Sequence, residues 1–396
     1  MTPETTDDLL RYRSEFPILD RTTYLISNSL GAMPRGVYSA MNAYADTWAT
    51  RGVRAWEERW WMLAAQVGDT IGALMNALPG SVSTHQNVTT CQAVVASCFD
   101  FSGKRNKVVY SDMNFPSTMY FWEAQRASGA RVHMVGTDDG ITVPIERLLD
   151  AIDETTLLVP VSHVIFRSSY IQDARAIVEK AHRVGAHVLL DTFQSLGTVP
   201  VDVQALDVDF ACGGVLKWLC GGPGVSYLYV RPDLGRKLEP RFTGWFAHRN
   251  SMAFEIGPIR YTDPPFRFMN GTSNIPALEA AQPGLKIVAE VGIPRIREKS
   301  KKQTTRLIDL ADRHGWTVNT PRDPEKRGGT VSIDMPNAQQ VCRELLNREI
   351  LVDWRPSAGV RMSPHFYNTG QELDVAIAAV EEIVTDHATA ARSAKS

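Results

Sequence analysis

The sequence contains no apolar run near the roughly 18 residues that a membrane span requires, so no membrane partner is expected. It has only five cysteines, Cys91, Cys98, Cys212, Cys220 and Cys342. An odd, scattered set without a CxxC spacing argues against a disulfide framework and against a zinc site, and no metal is expected. HExxH, the P-loop pattern and GxGxxG are all absent. Charge imbalance is lacking too: 42 Lys+Arg stand against 44 Asp+Glu, a formal net charge of -2 that gives no electrostatic reason to expect a nucleic acid. The first 16 residues are acidic and polar, unlike a secretory signal, so a cytoplasmic location is the expectation. There is no internal repeat and no low-complexity run, and residues 388–396 read as a frayed tail. What is present is ordinary for a globular protein, 44% hydrophobic and 22% charged over 396 residues. That length can support two domains with sizeable cores.

The chain is organised around residues 188–230. A short apolar run, 187–190, reads as a buried strand and breaks off at a carboxylate, Asp191. Farther on, Lys217 stands among apolar and small residues. It is followed by the turn-forming Gly221-Gly222-Pro223-Gly224 and a second apolar run, 225–230. Each residue alone has a plain structural explanation, Asp191 as a cap or turn residue and Lys217 as a solvated charge. In this order they are what a pyridoxal 5'-phosphate (PLP) site requires. The amine anchors the cofactor and the carboxylate keeps its pyridine nitrogen protonated, so that the ring can take up electrons.

Alternating patterns surround this stretch. Strands are predicted at 107–111, 131–135, 157–164 and 187–190, with helices at 116–128, 144–152 and 173–184. This rhythm implies a largely parallel sheet covered on both faces, with ligands beyond the carboxyl ends of its strands. Asp112 to Pro116, His163 to Ser169 and Asp191 to Gln194 fall at such ends. Upstream, residues 37–76 read as helical, and the aromatics Tyr44, Trp48, Trp56, Trp60 and Trp61 read as core or as a face for a second copy. Thr89 and Thr90 stand just before a predicted small-residue helix, 91–101, whose free N–H groups suit a phosphate. Downstream, helices near 277–289, 296–315 and 338–348, strands near 330–333 and 351–354, and a terminal helix suggest a smaller α+β domain.

Several of these segments resemble the class V aminotransferase family of fold-type I PLP enzymes, and within it the kynureninase branch. The resemblance rests on Asp191, Val208-Asp209-Phe210, Lys217-Trp218-Leu219 with the glycine turn, Asn28-Ser29-Leu30-Gly31, Asn114-Phe115-Pro116-Ser117, Thr243 to His248, Met269 to Thr272, and Val360 to Thr369. It implies an α/β fold-type I architecture in three parts: a segment 1–50 packing with the small domain, a PLP-binding domain 51–275, and a small domain 276–396. It further implies that Lys217 and Asp191 are catalytic. Thr89, Thr90, Phe115, Gln194 and Thr272 join them in holding the cofactor, with Phe115 on the ring and Thr272 on the phosphate of a neighbouring subunit. The protein would then be a homodimer with shared sites. Asn28, Ser29 and Trp245 would lie at the substrate. Arg361 would grip its α-carboxylate, a group whose planar shape the guanidinium fork matches. Phe166, Arg167 and His248 are candidates for the substrate's distal part.

The departures bear on the reaction. Leu216 precedes the lysine where Tyr or His is usual, Gly213-Gly214 stand where Ser or Thr is common, Thr118 replaces an acidic residue, and Gln194 replaces His. None of the cysteines sits in a glycine-rich loop of the desulfurase kind. The first reading is therefore a lyase or hydrolase cleaving at Cβ or Cγ of an amino acid, including β-elimination. The alternative is an aminotransferase or decarboxylating deaminase. A non-catalytic descendant is disfavoured by the retained Lys, Asp and Arg.

Overall fold

The computed structural model describes residues 7–393, so residues 1–6 and the last three of the expected frayed tail lie outside the described residues. The described part of that tail is the end of a helix running Gly370–Ser393. In chain order the strands are β1 (Thr23–Tyr24), β2 (Val82–His85), β3 (Lys107–Ser111), β4 (Arg131–Val135), β5 (Thr156–Ser162), β6 (His187–Asp191), β7 (Phe210–Gly214), β8 (Ser226–Val230), β9 (Thr317–Val318), β10 (Val331–Asp334), β11 (Ile350–Leu351), β12 (Asp353–Arg355) and β13 (Gly359–Met362).

Seven of them form one sheet in the order β2-β8-β7-β6-β5-β3-β4, mostly parallel, with β8 antiparallel to both neighbours. Side chains alternate across each strand. Val109, Val159, Val161, Val188 and Leu190 join one core, while Val108, Tyr110, Leu158, Leu189 and Phe210 join another on the opposite face. Two covered faces explain why these strands read as unbroken apolar runs. A four-stranded antiparallel sheet, β12-β13-β10-β9, packs with the helices Ile293–Arg313, Ala338–Asn347 and Gly370–Ser393 around a third core. The N-terminal segment is tied to this part by the parallel β1–β11 pair and by Arg13, which donates to Glu372 at 3.0 Å.

Two local readings change, and one strand is added. The helical stretch expected over 37–76 is interrupted. It ends at Arg51, where Gly52 takes φ 55°, resumes as a π-helical turn at Trp56–Trp60, and continues as Trp61–Ala73. The helix expected to begin at Cys91 starts at Val88, because the Asn87 side chain caps it by accepting from the Thr90 N–H at 2.9 Å. Thr89 and Thr90 therefore lie within its first turn. Finally, β7 has no clear period-2 pattern because it ends in Gly213-Gly214, yet it is the strand that delivers Lys217.

Candidate active site

The carboxyl ends of β3, β5 and β6 open onto a cavity of about 330 Å³. The chain passes from β4 back across β3 to reach β5, so the cavity sits where the strand order reverses. Asp191, the last residue of β6, and Lys217, three residues beyond β7, both line it.

The turn that carries Lys217 is held from several directions. Gly31 donates to the Leu216 carbonyl at 2.8 Å, and a Cβ on Gly31 would stand 2.2 Å from the Lys217 carbonyl oxygen. This close backbone approach is the physical role of the glycine in Asn28-Ser29-Leu30-Gly31. The Trp218 indole donates to Gln194 Oε1 at 3.0 Å, and Gln194 Nε2 donates to the Asn28 carbonyl at 3.0 Å. His365 Nε2 lies 2.8 Å from the Trp218 carbonyl. Gln194 thus uses both ends of its amide to join the Lys217 turn to the N-terminal loop.

Electrostatically the cavity is prepared for a cation at one point and a neutral amine at another. Burial lowers the Lys217 amine to about 8, opposed by the nearby Asp191 carboxylate and reinforced by the positive charge of Arg361. The Phe193 ring lies 4.2 Å and the Phe115 ring 5.6 Å from the Lys217 nitrogen. Burial raises the Asp191 carboxyl, while the Phe193 N–H, donating at 2.9 Å, and Lys217 oppose that rise. A buried carboxylate in this condition is stabilised by a cationic partner.

Thr89 lines the same cavity at the start of the helix Val88–Ser97, where first-turn N–H groups have no intrahelical acceptor. Asn28 and Ser29 are also in the wall. Both amide atoms of Asn28 are buried without a hydrogen-bond partner. Arg361 closes one side. Its Nε donates to Asp353 Oδ1 at 2.7 Å, its Nη2 also donates to Asp353, and its Nη1 donates to the Phe166 carbonyl at 2.6 Å.

The structure thus brings Asn28, Ser29, Thr89, Phe115, Asp191, Gln194, Lys217 and Arg361 to one cavity, together with Phe166. It places the other expected residues elsewhere in this chain. Thr90 and Thr272 face a neighbouring cavity of about 250 Å³. Trp245 packs edge-on against Trp61 and stacks on Phe254, and His248 lies 3.2 Å from Glu255. The Arg167 carbonyl accepts from Ser332, which ties that residue to β10.

Three residues of the site escaped the sequence reading. Phe193 lies against the lysine because residue 214 is glycine; a Cβ there would stand 2.5 Å from the Phe193 ring. Arg355 lines the cavity, and Asp353 stands behind it on Arg361, because β12 and β13 are antiparallel with Asp353 directly opposite Arg361. A hairpin reading of Asp353-Trp354-Arg355 and Val360-Arg361-Met362 around the Pro356-Ser357 turn was the signal available. The Val208-Asp209-Phe210 motif also gains a physical role. Buried Asp209 accepts from the Val188 N–H at 2.8 Å and pairs with His187 and His182, each at 3.0 Å, tying β6 to β7 at the end away from the site.

Comparison with known proteins bears directly on this arrangement. Residues 23–375 match the family described as Aminotransferase class-V. The chain belongs to the class V aminotransferase family. It is 29% identical to a kynureninase from Bacillus thuringiensis subsp. konkukian (strain 97-27), an alignment covering 96% of this chain and 92% of that one. An uncharacterized aminotransferase, YcbU, from Bacillus subtilis (strain 168) is 30% identical, with 93% and 96% covered. In fold it is similar to a cysteine desulfurase from Thermococcus onnurineus NA1, at a TM-score of 0.85 and 22% identity, covering 97% of this chain and 99% of the other. It is similar also to a mutant of C-DES with glycine covalently linked to the PLP cofactor, at a TM-score of 0.84 and 19% identity, covering 93% and 98%.

Members of this family are PLP enzymes, and the residues here fit that cofactor. Lys217 offers an amine whose charge burial disfavours, Asp191 a carboxylate in the cavity wall, steadied by the Phe193 N–H, for the pyridinium nitrogen, Phe115 and Phe193 offer aromatic faces, and Thr89 stands at a helix end suited to phosphate. This is a PLP-dependent enzyme. Among the described residues no cluster of ligands suits a metal ion, and no helix is long and apolar enough to cross a membrane.

Proposed function

We propose that the chain acts on an α-amino acid and cleaves a bond at its β or γ carbon, as a kynureninase-like lyase or hydrolase. The observation that carries this reading is one cavity wall holding Lys217, Asp191, Arg361 and the unpartnered amide of Asn28. When bound, PLP supplies the electron sink that stabilises negative charge developing at the substrate carbons. Asp191 keeps the ring nitrogen positive. Arg361 and Asn28 hold the α-carboxylate and so fix the direction of the bond to be broken. Lys217, whose amine burial lowers to about 8, takes and returns the proton at the substrate α-carbon. Leu216 adds no proton donor. Together with Val164, Phe115 and Phe166 it forms an apolar wall that suits an apolar or aromatic distal group and excludes water from the reacting atoms.

Hydrolysis of kynurenine itself would need an activated water and a donor for the leaving carbanion. Leu216 offers neither, and elimination from an activated side chain makes fewer demands. Amine transfer is the second reading, favoured by the similarity to a protein named an aminotransferase. We place the reaction in a homodimer. The helix Gly36–Arg51 has no buried residue and exposes Tyr38 and Trp48, as a face covered by a second copy would. Thr272 and Trp245, which do not line their own chain's cavity, would then serve the partner's site.

The test is spectroscopic and chemical. The purified protein carries a visible cofactor band that Lys217→Ala abolishes; a band unchanged by that substitution overturns the site. Incubation with β-substituted amino acids yields pyruvate and ammonia if the first reading holds as β-elimination. Product formation only in the presence of a keto acid selects amine transfer instead.

A further inference from the structure

Arg361 cannot be considered alone. A guanidinium has five N–H donors, and three of them are committed, two to Asp353 and one to the Phe166 carbonyl. The two that remain are enough to hold one carboxylate, provided that the plane of the group is fixed. Asp353 fixes it by gripping Nε and Nη2 from the facing strand. That grip carries a cost, because it places a carboxylate next to the position a substrate carboxylate must occupy. Arg355, which also lines the cavity, offsets this: its Nη2 lies 3.1 Å from Asp353 Oδ2. The three side chains grade outward, with Arg361 3% exposed, Asp353 11% and Arg355 43%. The group therefore alternates in sign from the mouth inward, Arg355, Asp353, Arg361, and sums to one net positive charge.

We infer that Asp353 and Arg355 are a coupled pair of positioning residues. Asp353 orients the Arg361 fork, and Arg355 neutralises Asp353 so that the site keeps one net positive charge for one substrate carboxylate. The assignment names a substrate class, amino acids with a single carboxylate, and it rests on the proposal that Arg361 grips the α-carboxylate. A purely structural role for either residue gives a different pattern of mutant effects. Removing Arg355 alone leaves Asp353 facing the incoming carboxylate with no net charge in the group. Removing both Arg355 and the Asp353 charge restores the single positive charge of Arg361.

The experiment titrates the PLP-bound protein with L-phenylalanine and with L-phenylalaninamide, reading the change in the visible cofactor band. The wild type binds the acid more tightly than the amide. Arg355→Gln weakens acid binding by about tenfold, within the range of couplings between contacting charges, and leaves amide binding unchanged, whereas Arg355→Lys keeps most of the affinity. The double variant Asp353→Asn/Arg355→Gln binds the acid more tightly than Arg355→Gln alone. If the double variant is as weak as or weaker than Arg355→Gln, or if Arg355→Gln weakens acid and amide equally, the charge-balancing role is refuted. If the wild type binds acid and amide alike, or responds to neither, the carboxylate grip of Arg361 fails and this assignment fails with it.

Discussion

Replacing Lys217 with methionine should stabilise the cofactor-free protein near pH 7, and the gain should shrink as the pH rises. The folded chain holds the amine at about 8, down from an ordinary 10.5, chiefly through burial. At about 1.36 kcal/mol for each pKa unit, the penalty for keeping it charged is roughly 3 kcal/mol. The sign follows from proton counting. Below about pH 8 both states are protonated and the folded state carries the full penalty. Between about 8 and 10.5 the unfolded chain keeps a proton that the folded chain has lost, so wild-type stability rises with pH relative to the variant. With an unfolding entropy of roughly 2.1 cal/mol/K per residue, a chain of this length should show the penalty as a Tm difference of about 4 °C near pH 7. Calorimetry of both cofactor-free proteins at pH 7 and at pH 10.5 gives the comparison. Packing differences between lysine and methionine shift both pH values equally, so the pH dependence of the difference isolates the charge. A difference that is constant from pH 7 to 10.5 would refute a buried, depressed amine at Lys217.

Other substitutions test other links. Asp209→Ala removes the buried acceptor shared by Val188, His187 and His182. Chemical denaturation should register a loss of about 3–5 kcal/mol, and an unchanged midpoint would show the cluster to be passive. Gly214→Ala drives a methyl against the Phe193 ring and should cost about 1–3 kcal/mol. Adding Phe193→Ala should recover most of that loss, while additive losses would place the strain elsewhere. Asp191→Asn keeps the shape but removes the charge opposite the cofactor's ring nitrogen. Turnover should fall by about 10- to 100-fold, the worth of a hydrogen bond to a charged group, with the fold intact by circular dichroism.

Local pattern along the chain was enough to read several parts of this protein. Apolar runs ending at polar residues marked β3, β5 and β6 closely, because buried parallel strands must be apolar on both faces. Asp191 and Lys217 were legible because a carboxylate ending such a strand, and a lysine among apolar residues before a glycine turn, are each costly unless they are used. Arg361 was legible within a motif of the family, but its working state was not. That Asp353 holds it and Arg355 balances Asp353 depends on the antiparallel register of β12 against β13, and register is a tertiary property. The same holds for Gly31, Gln194 and Phe193, which reach Lys217 from distant or differently oriented segments through close approaches that no spacing in the chain reveals. Local periodicity set which strands and helices form, and long-range packing decided which of their ends meet around Lys217.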